Sequence, residues 1–249
     1  MSLKVTAVGV EPLRGKRIIL ERAVPCHAEF LHDCYGLEEF MNRYRLTQDR
    51  NMSVEQIRQQ LEREQELPPQ QLRRLEWVIK RRSGTTGAAG QPIGIATLAD
   101  YQAVHNRAEF LLGIIESEDR RGGLSLEAAL LVLEFAFHQA RLHKLTSFVY
   151  AFNSSAQKNT LHLGFRQEGF LREHYFDCRG ERFIDLYQNG LLREEFFANA
   201  NLSRWSKRLL GRDITARKSQ NIEVELMSRS QMDKALEHII NSGSRIRRA

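Results

Sequence analysis

Apolar residues recur along this chain in two rhythms, one near two residues and one near 3.6, and the switches between them lay out its elements. Residues 17–22, with the pair Ile18-Ile19, predict a first strand. From Ala28 to Tyr44 the spacing turns helical, with Phe30, Leu31, Cys34, Leu37, Phe40 and Met41 as apolar positions. A further helix opens at Ser53, where Gln56 three residues on makes a capping box. Ile57 and Leu61 give it a narrow apolar seam, and Pro68-Pro69 stops it. Trp77-Val78-Ile79 and Ile93 to Leu98 predict strands on either side of a glycine-rich hairpin loop, Ser83 to Gly90. Phe110 to Ile115 is a strand. From Leu126 through Arg141, Ala129, Leu130, Leu133, Ala136, Phe137 and Ala140 recur at helical spacing. Leu145 to Phe152 is a strand, a helix from about Ser155 ends at Gly164, and Phe170–Phe176 pairs with Phe183–Leu192 around Arg179-Gly180. This order predicts a mixed α/β fold with one crossover layer.

The junction after Phe110–Ile115 carries chemistry. Arg120-Arg121-Gly122-Gly123-Leu124-Ser125 joins a strand to a helix. Backbone N–H groups in a helix's first turn lack intrahelical partners, and the helix dipole favours an anion there. The same loop lacks the Lys-Ser/Thr pair that a nucleoside-triphosphate loop needs. The Ser83–Gly90 loop has no lysine or helix start after it and carries no phosphate logic.

Composition narrows the classes. The chain has 249 residues, 42% of them apolar, and five prolines, as a folded globular protein does. The N-terminal residues make a poor signal peptide, and no window reaches a membrane span's length, so the cytoplasm is the expected location and no membrane partner is expected. Cys26, Cys34 and Cys178 form neither a disulfide framework nor a zinc spacing. His105, His138, His143, His162 and His174 assemble no metal site, so no metal is expected. Net charge is +6, and residues from 201 onward hold eleven Lys/Arg against five Asp/Glu, which accounts for all of it. The expected division is a domain over 12–200 and a basic extension over 201–249, with a strand at 221–227 and a short helix at 231–242. That extension is a solvated tail, a nucleic-acid footprint or a contact for an acidic protein.

Several separated segments together resemble one family. They are Leu13 to Arg22, Gln91-Pro92-Ile93-Gly94, Arg107-Ala108-Glu109-Phe110 and Arg120-x-x-Gly123-x-Ser125 with Glu127-Ala128. Further on come Glu134 to Phe137, Leu142 to Leu145, Asn153 with Gly164-Phe165, Glu168 to Glu173, then Gly180, Asp185, Tyr187, Leu192 and Glu194. The set resembles the GNAT superfamily of N-acetyltransferases, and within it the branch of ribosomal-protein N-terminal alanine and serine acetyltransferases. The resemblance implies a central, mostly antiparallel sheet with a splayed parallel strand pair, flanked by helices. It implies acetyl-CoA, or another acyl-CoA, as co-substrate, with the amine attacking the thioester directly in a ternary complex.

The resemblance also assigns roles. Arg120, Arg121, Gly122, Gly123, Leu124 and Ser125 form the pyrophosphate loop. Backbone amides of Leu111, Leu112 and Gly113 polarise the thioester carbonyl. Glu109 receives the amine's proton, or is an ordinary strand-end charge or salt-bridge partner, and Asn153 holds the pantetheine arm or caps the following helix. Asp185 and Tyr187 line the acceptor side or simply pair strands. Two positions depart from the family pattern: Ala156 and Thr160 stand where relatives have serine and a thiolate-protonating tyrosine. The loop is also more basic at Arg121 and bulkier at Ser125. These departures leave open a CoA-binding sensor without turnover. The acceptor is a protein N-terminus, which the branch favours, or an amino sugar, a polyamine or a biosynthetic intermediate. The segment between Asn51 and Arg74 is placed to reshape its pocket. The protein is expected to be a monomer or homodimer.

Overall fold

The computed structural model describes residues 11–45, 51–67, 71–82, 89–177 and 180–217. Among these, eight strands form one sheet in the order β1-β2-β3-β4-β5-β6-β8-β7. The strands are β1 (Leu13–Arg14), β2 (Ile18–Arg22), β3 (Leu75–Arg82), β4 (Ala89–Gln102), β5 (Arg107–Ile114), β6 (Lys144–Tyr150), β7 (Arg166–Asp177) and β8 (Arg182–Leu192). All neighbours run antiparallel except β5 and β6. The fold is the mixed α/β architecture expected, with a mostly antiparallel sheet between helices.

Alternation decides which face each residue serves. Trp77, Ile79, Ala96, Leu98, Ala108, Phe110 and Ile114 join one core with α5 (Leu124–Glu134). Val78 and Ile95 point the other way, into a second core under α1 (Ala28–Gly36), α2 (Glu38–Tyr44) and α3 (Val54–Glu66). The helical spacing over 28–44 is thus split at Leu37, whose extended backbone (ψ 101°) separates α1 from α2. Ser53 caps α3 as its sequence predicts: Gln56 N–H donates to Ser53 Oγ at 3.3 Å and Ser53 N–H to Gln56 Oε1 at 2.7 Å.

The helix expected from Leu126 begins two residues earlier, behind α4 (Ser117–Arg121), so only Gly122-Gly123 remains as loop. Its far end is a π-helical turn, Phe135–Gln139, where Ala140 N–H donates to Phe135 O. That extra residue per turn seats Phe135 edge-on to Trp77 and stacks Phe137 on Phe196.

Beyond β8, α7 (Arg193–Phe197) and α8 (Ala200–Leu210) follow. Leu202, Leu210 and Ile214 are buried in the core that α5 fills, and Arg212 grips Glu134 through Nε and Nη2 at 2.6–3.1 Å. The described residues from 11 to 216 belong to one compact unit. The strand and helix expected at 221–227 and 231–242 lie outside the described residues.

Candidate active site

The parallel pair opens like a V. β5 and β6 are in register only from Arg107↔Lys144 to Glu109↔Thr146. Past Glu109 the two strands separate, so one edge of β5 over Phe110–Ile114 has no strand beside it. Peptide groups on such an edge are strong hydrogen-bonding groups that need partners. Leu111, Leu112 and Gly113 lie on this stretch.

The open end of the V faces the start of α5. Gly123 is its N-cap with φ +76°, a left-handed conformation that glycine takes without a Cβ penalty. The first helical bond runs from Glu127 N–H to Gly123 O, leaving the N–H groups of Leu124, Ser125 and Leu126 without intrahelical acceptors. This suits a pyrophosphate.

Sequence reasoning missed what holds this seat. Glu127 is fully buried, and its carboxylate accepts from Arg17 N–H at 2.9 Å and Arg17 Nε at 3.0 Å. Arg17 Nη1 in turn donates to Gly122 O at 2.7 Å. Gly15 passes so close to the Glu127 carboxylate that no side chain fits there. The first full strand is thereby strapped to the loop. Arg120 also works inward: its Nη1 donates to Ile114 O and Ile115 O, both at 3.1 Å. Asp119 is ion-paired to Arg81.

Asn153 caps α6 (Ser154–His162), its Oδ1 accepting from Ala156 N–H at 3.2 Å. The helix is pinned to the sheet by a reciprocal amide pair, Gln157 with Asn189, at 2.9 and 3.0 Å. With Gln157 turned inward, Ala156 and Thr160 are left on a half-exposed side. Asn153→Ala is expected to cost about 1 kcal/mol in stability through the lost cap, whereas Asn153→Asp keeps it. Measured alongside melting, a rise in acetyl-CoA KM in both variants assigns the side-chain amide to the pantetheine arm; an unchanged KM confines it to capping.

Glu109 stands where the V closes. It is half-buried and has no hydrogen-bond or ion-pair partner among the described residues. Burial raises its pKa and Asp100 adds to the rise, while Arg45 and Arg107 oppose it. Its charge is felt at Tyr175, whose hydroxyl is pushed up by burial and by Glu109.

Tyr175 is brought there by a bulge. Between Leu171↔Leu186 and Tyr175↔Ile184, β7 advances four residues while β8 advances two. Glu173 sits at φ +49° in this bulge and its N–H donates to Asp185 Oδ1 at 2.7 Å. A bulge re-aims the side chains beyond it. Here it sets Tyr175 6.3 Å from Tyr150, which stacks on Phe152 at 5.5 Å. Asp185 therefore fixes the bulge and lines a shallow depression with Phe170 and His174, while Tyr187 pairs with Val149 and packs on Phe170. No local pattern marks Tyr175 or Arg45 as neighbours of Glu109.

An anion seat at a helix N-terminus, a splayed parallel pair leading from it, and a desolvated carboxylate at the vertex define an acyl-CoA-dependent acyltransferase. The comparisons agree. Residues 17–166 match the family model of the acetyltransferase (GNAT) domain. The chain is 30% identical over 180 residues to the uncharacterized N-acetyltransferase YoaA of Bacillus subtilis strain 168, covering 72% of this chain and 89% of that protein. It belongs to the GNAT acetyltransferase family. It is an enzyme, and it moves an acetyl group from acetyl-CoA to a primary amine.

Over 87 residues, 35% of this chain and 46% of the relative, it is 36% identical to spermidine N(1)-acetyltransferase of Escherichia coli strain K12. The crystal structure of spermidine N-acetyltransferase from Vibrio cholerae in complex with CoA and spermine superposes with a TM-score of 0.61. Identity there is 21%, and the match spans 72% of this chain and 97% of the other. These matches overturn the likeness to the ribosomal-protein N-terminal acetyltransferase branch, because the likeness is to spermidine acetyltransferases. The residues that carried the branch resemblance explain the error. Gln91–Gly94, the 120–125 loop and Asn153 with Gly164 build the sheet, the anion seat and α6, so they report on cofactor and framework and not on the acceptor. Among the described residues no helix is long and apolar enough to cross a membrane, and no three His, Cys, Asp or Glu side chains gather as a metal site.

Proposed function

We propose that the acceptor is a linear polyamine. The observation that carries this is the Glu109 carboxylate, which has no hydrogen-bond or ion-pair partner among the described residues and whose charge is felt at Tyr175. That ring leads on to Tyr150 and Phe152, and together these suit an alkylammonium. The carboxylate attracts the charge, and aromatic faces accept both methylenes and a cation. The names of the spermidine acetyltransferase relatives support the same class.

Glu109 takes the proton from the bound ammonium, directly or through one water. The freed amine attacks the thioester carbon while backbone amides of Leu111–Gly113 stabilise the oxyanion. The N–C bond forms, the C–S bond breaks, the thiolate leaves, and the attacking nitrogen loses its remaining extra proton to water. Ala156 has no proton to give and Thr160 is a weak acid, so the thiolate is protonated by water. Gly123 to Leu126 at the start of α5, strapped by Arg17 and Glu127, hold the pyrophosphate.

The test is a screen with labelled acetyl-CoA against spermidine, spermine, short diamines, amino sugars and peptides with varied N-termini. Polyamines are expected to lead in kcat/KM by at least about tenfold, the scale of a fitted against an unfitted pocket. Comparable or faster transfer to peptides or amino sugars overturns the acceptor assignment.

A further inference from the structure

Outside the groups used above, the chain holds a second polar cluster, buried beneath α1 and α2. Glu76 on β3 is 6% exposed and Thr97 on β4 is 2% exposed, and they are cross-strand neighbours. Tyr35 on α1 donates to Glu76 Oε2 at 2.8 Å, and Thr97 Oγ1 donates to Glu76 Oε1 at 3.2 Å. The proton of Thr97 is thus committed to Glu76, so its oxygen accepts from the Tyr44 hydroxyl, 2.7 Å away. The chain of bonds runs Tyr44 to Thr97 to Glu76, with Tyr35 closing it. A buried carboxylate satisfied in this way fixes its neighbours, because breaking any link strands a polar group in the core.

What the cluster fixes is a wall. Tyr44 is stacked on Phe40 with ring centroids 5.3 Å apart, and both rings press on Gly113. A Cβ at Gly113 would lie 2.6 Å from Phe40 ring carbons and 2.9 Å from Tyr44. Real Cβ atoms are not found that close, so β5 meets the wall with no space left. Thr97 also faces Leu111 across the β4–β5 ladder.

We propose that Phe40 and Tyr44 set the length of acyl chain that the enzyme transfers. The inference rests on Leu111–Gly113 as the seat of the thioester. With the carbonyl oxygen on that strand edge, the sulfur leads toward α5 and the amine comes from Glu109. Two directions remain for the acyl chain, one through each face of the sheet. One face is filled by Phe110, Ile114, Ala129 and Leu130 of the main core. The other is the face that Phe40 and Tyr44 close. A methyl group fits against such a wall and a propyl group does not. The hydrogen-bonded Tyr44 hydroxyl keeps the wall from yielding, which a stack of phenylalanines alone would do.

The test compares butyryl-CoA with acetyl-CoA as donors to one amine, in the wild type, Phe40→Leu and Tyr44→Phe. The ratio of their kcat/KM values is independent of how much enzyme is folded. Phe40→Leu is expected to raise the butyryl-to-acetyl ratio at least about tenfold, the scale on which a pocket senses a methylene. Tyr44→Phe keeps the ring and frees it, and is expected to raise the ratio about threefold, a smaller step on that same scale. A ratio unmoved in both variants overturns the proposal, whatever the loss in total activity. Failure of the seat itself is separable: it shows as Gly113→Ala transferring acetyl at the wild-type rate.

Discussion

Replacing Glu109 with Gln is expected to lower kcat by about 100-fold or more at neutral pH, the scale of a positioned general base. The loss shrinks as pH approaches the acceptor's own pKa, because the amine then arrives deprotonated and needs no base. Steady-state rates across pH check this, and a constant ratio of wild type to variant would remove Glu109 from the role. The same substitution should make the protein more stable. A carboxyl group whose folded-state pKa lies above its unfolded value gains protons on folding. Its contribution is full below the unfolded pKa and is lost as pH rises through the folded pKa. Burial raises Glu109 in this sense, so at neutral pH the wild type bears a charge that the fold disfavours. Thermal melts should place Glu109→Gln above wild type near pH 7, the gap closing as pH falls below about 4, where the carboxyl is protonated in both folded and unfolded chains. A site that holds a partly buried carboxylate ready for an ammonium is less stable without its substrate.

Glu127→Ala is expected to act at the opposite end of the V. It removes the acceptor for Arg17 N–H and Nε and loosens the Gly122 carbonyl that Arg17 holds. Glu127 is fully buried but the Arg17 side chain is 45% exposed, so water recovers part of the loss. The expected destabilisation is about 2–4 kcal/mol, between a charged hydrogen bond and a broken buried pair. With the strap gone, KM for acetyl-CoA is expected to rise about tenfold, or roughly 1.4 kcal/mol, while the pH dependence set by Glu109 stays in place. Calorimetric melting and donor titration measure the two effects separately. An unchanged KM would mean that the α5 N-terminus holds its shape without Arg17.

Most elements were legible because their signals are local. Ser53 with Gln56, Gly164 after α6 and the strand–glycine–helix junction each involve residues a few positions apart; the first two form as read, and the junction forms with α4 inserted and α5 starting two residues early. The departures have physical causes. Leu37 divides one helical pattern into two because its extended backbone turns α2 across β5. α8 hides in a stretch read from its charge, since Arg204, Lys207 and Arg208 sit on the same helix as the buried Leu202, Ser206 and Leu210. The branch assignment failed for the reason its motifs suggest, being drawn from framework and cofactor segments that say little about the acceptor.

Most of the strands and helices and the anion-favouring glycine junction follow from this sequence alone, through hydrophobic period, capping and a short motif. The acetyl-CoA chemistry and Glu109 as a candidate base came from the resemblance of separated segments to the GNAT superfamily. The surroundings of Glu109 were decided only by the tertiary structure. Arg45, Glu109, Tyr150 and Tyr175 come from four distant segments, joined by a parallel pair that stops pairing after Glu109 and a bulge that turns Tyr175 inward. The strap from Arg17 to Glu127 and the wall of Phe40 and Tyr44 over Gly113 likewise depend on sheet register and helix placement. Local pattern records which face of an element is buried, and not what another element brings against it.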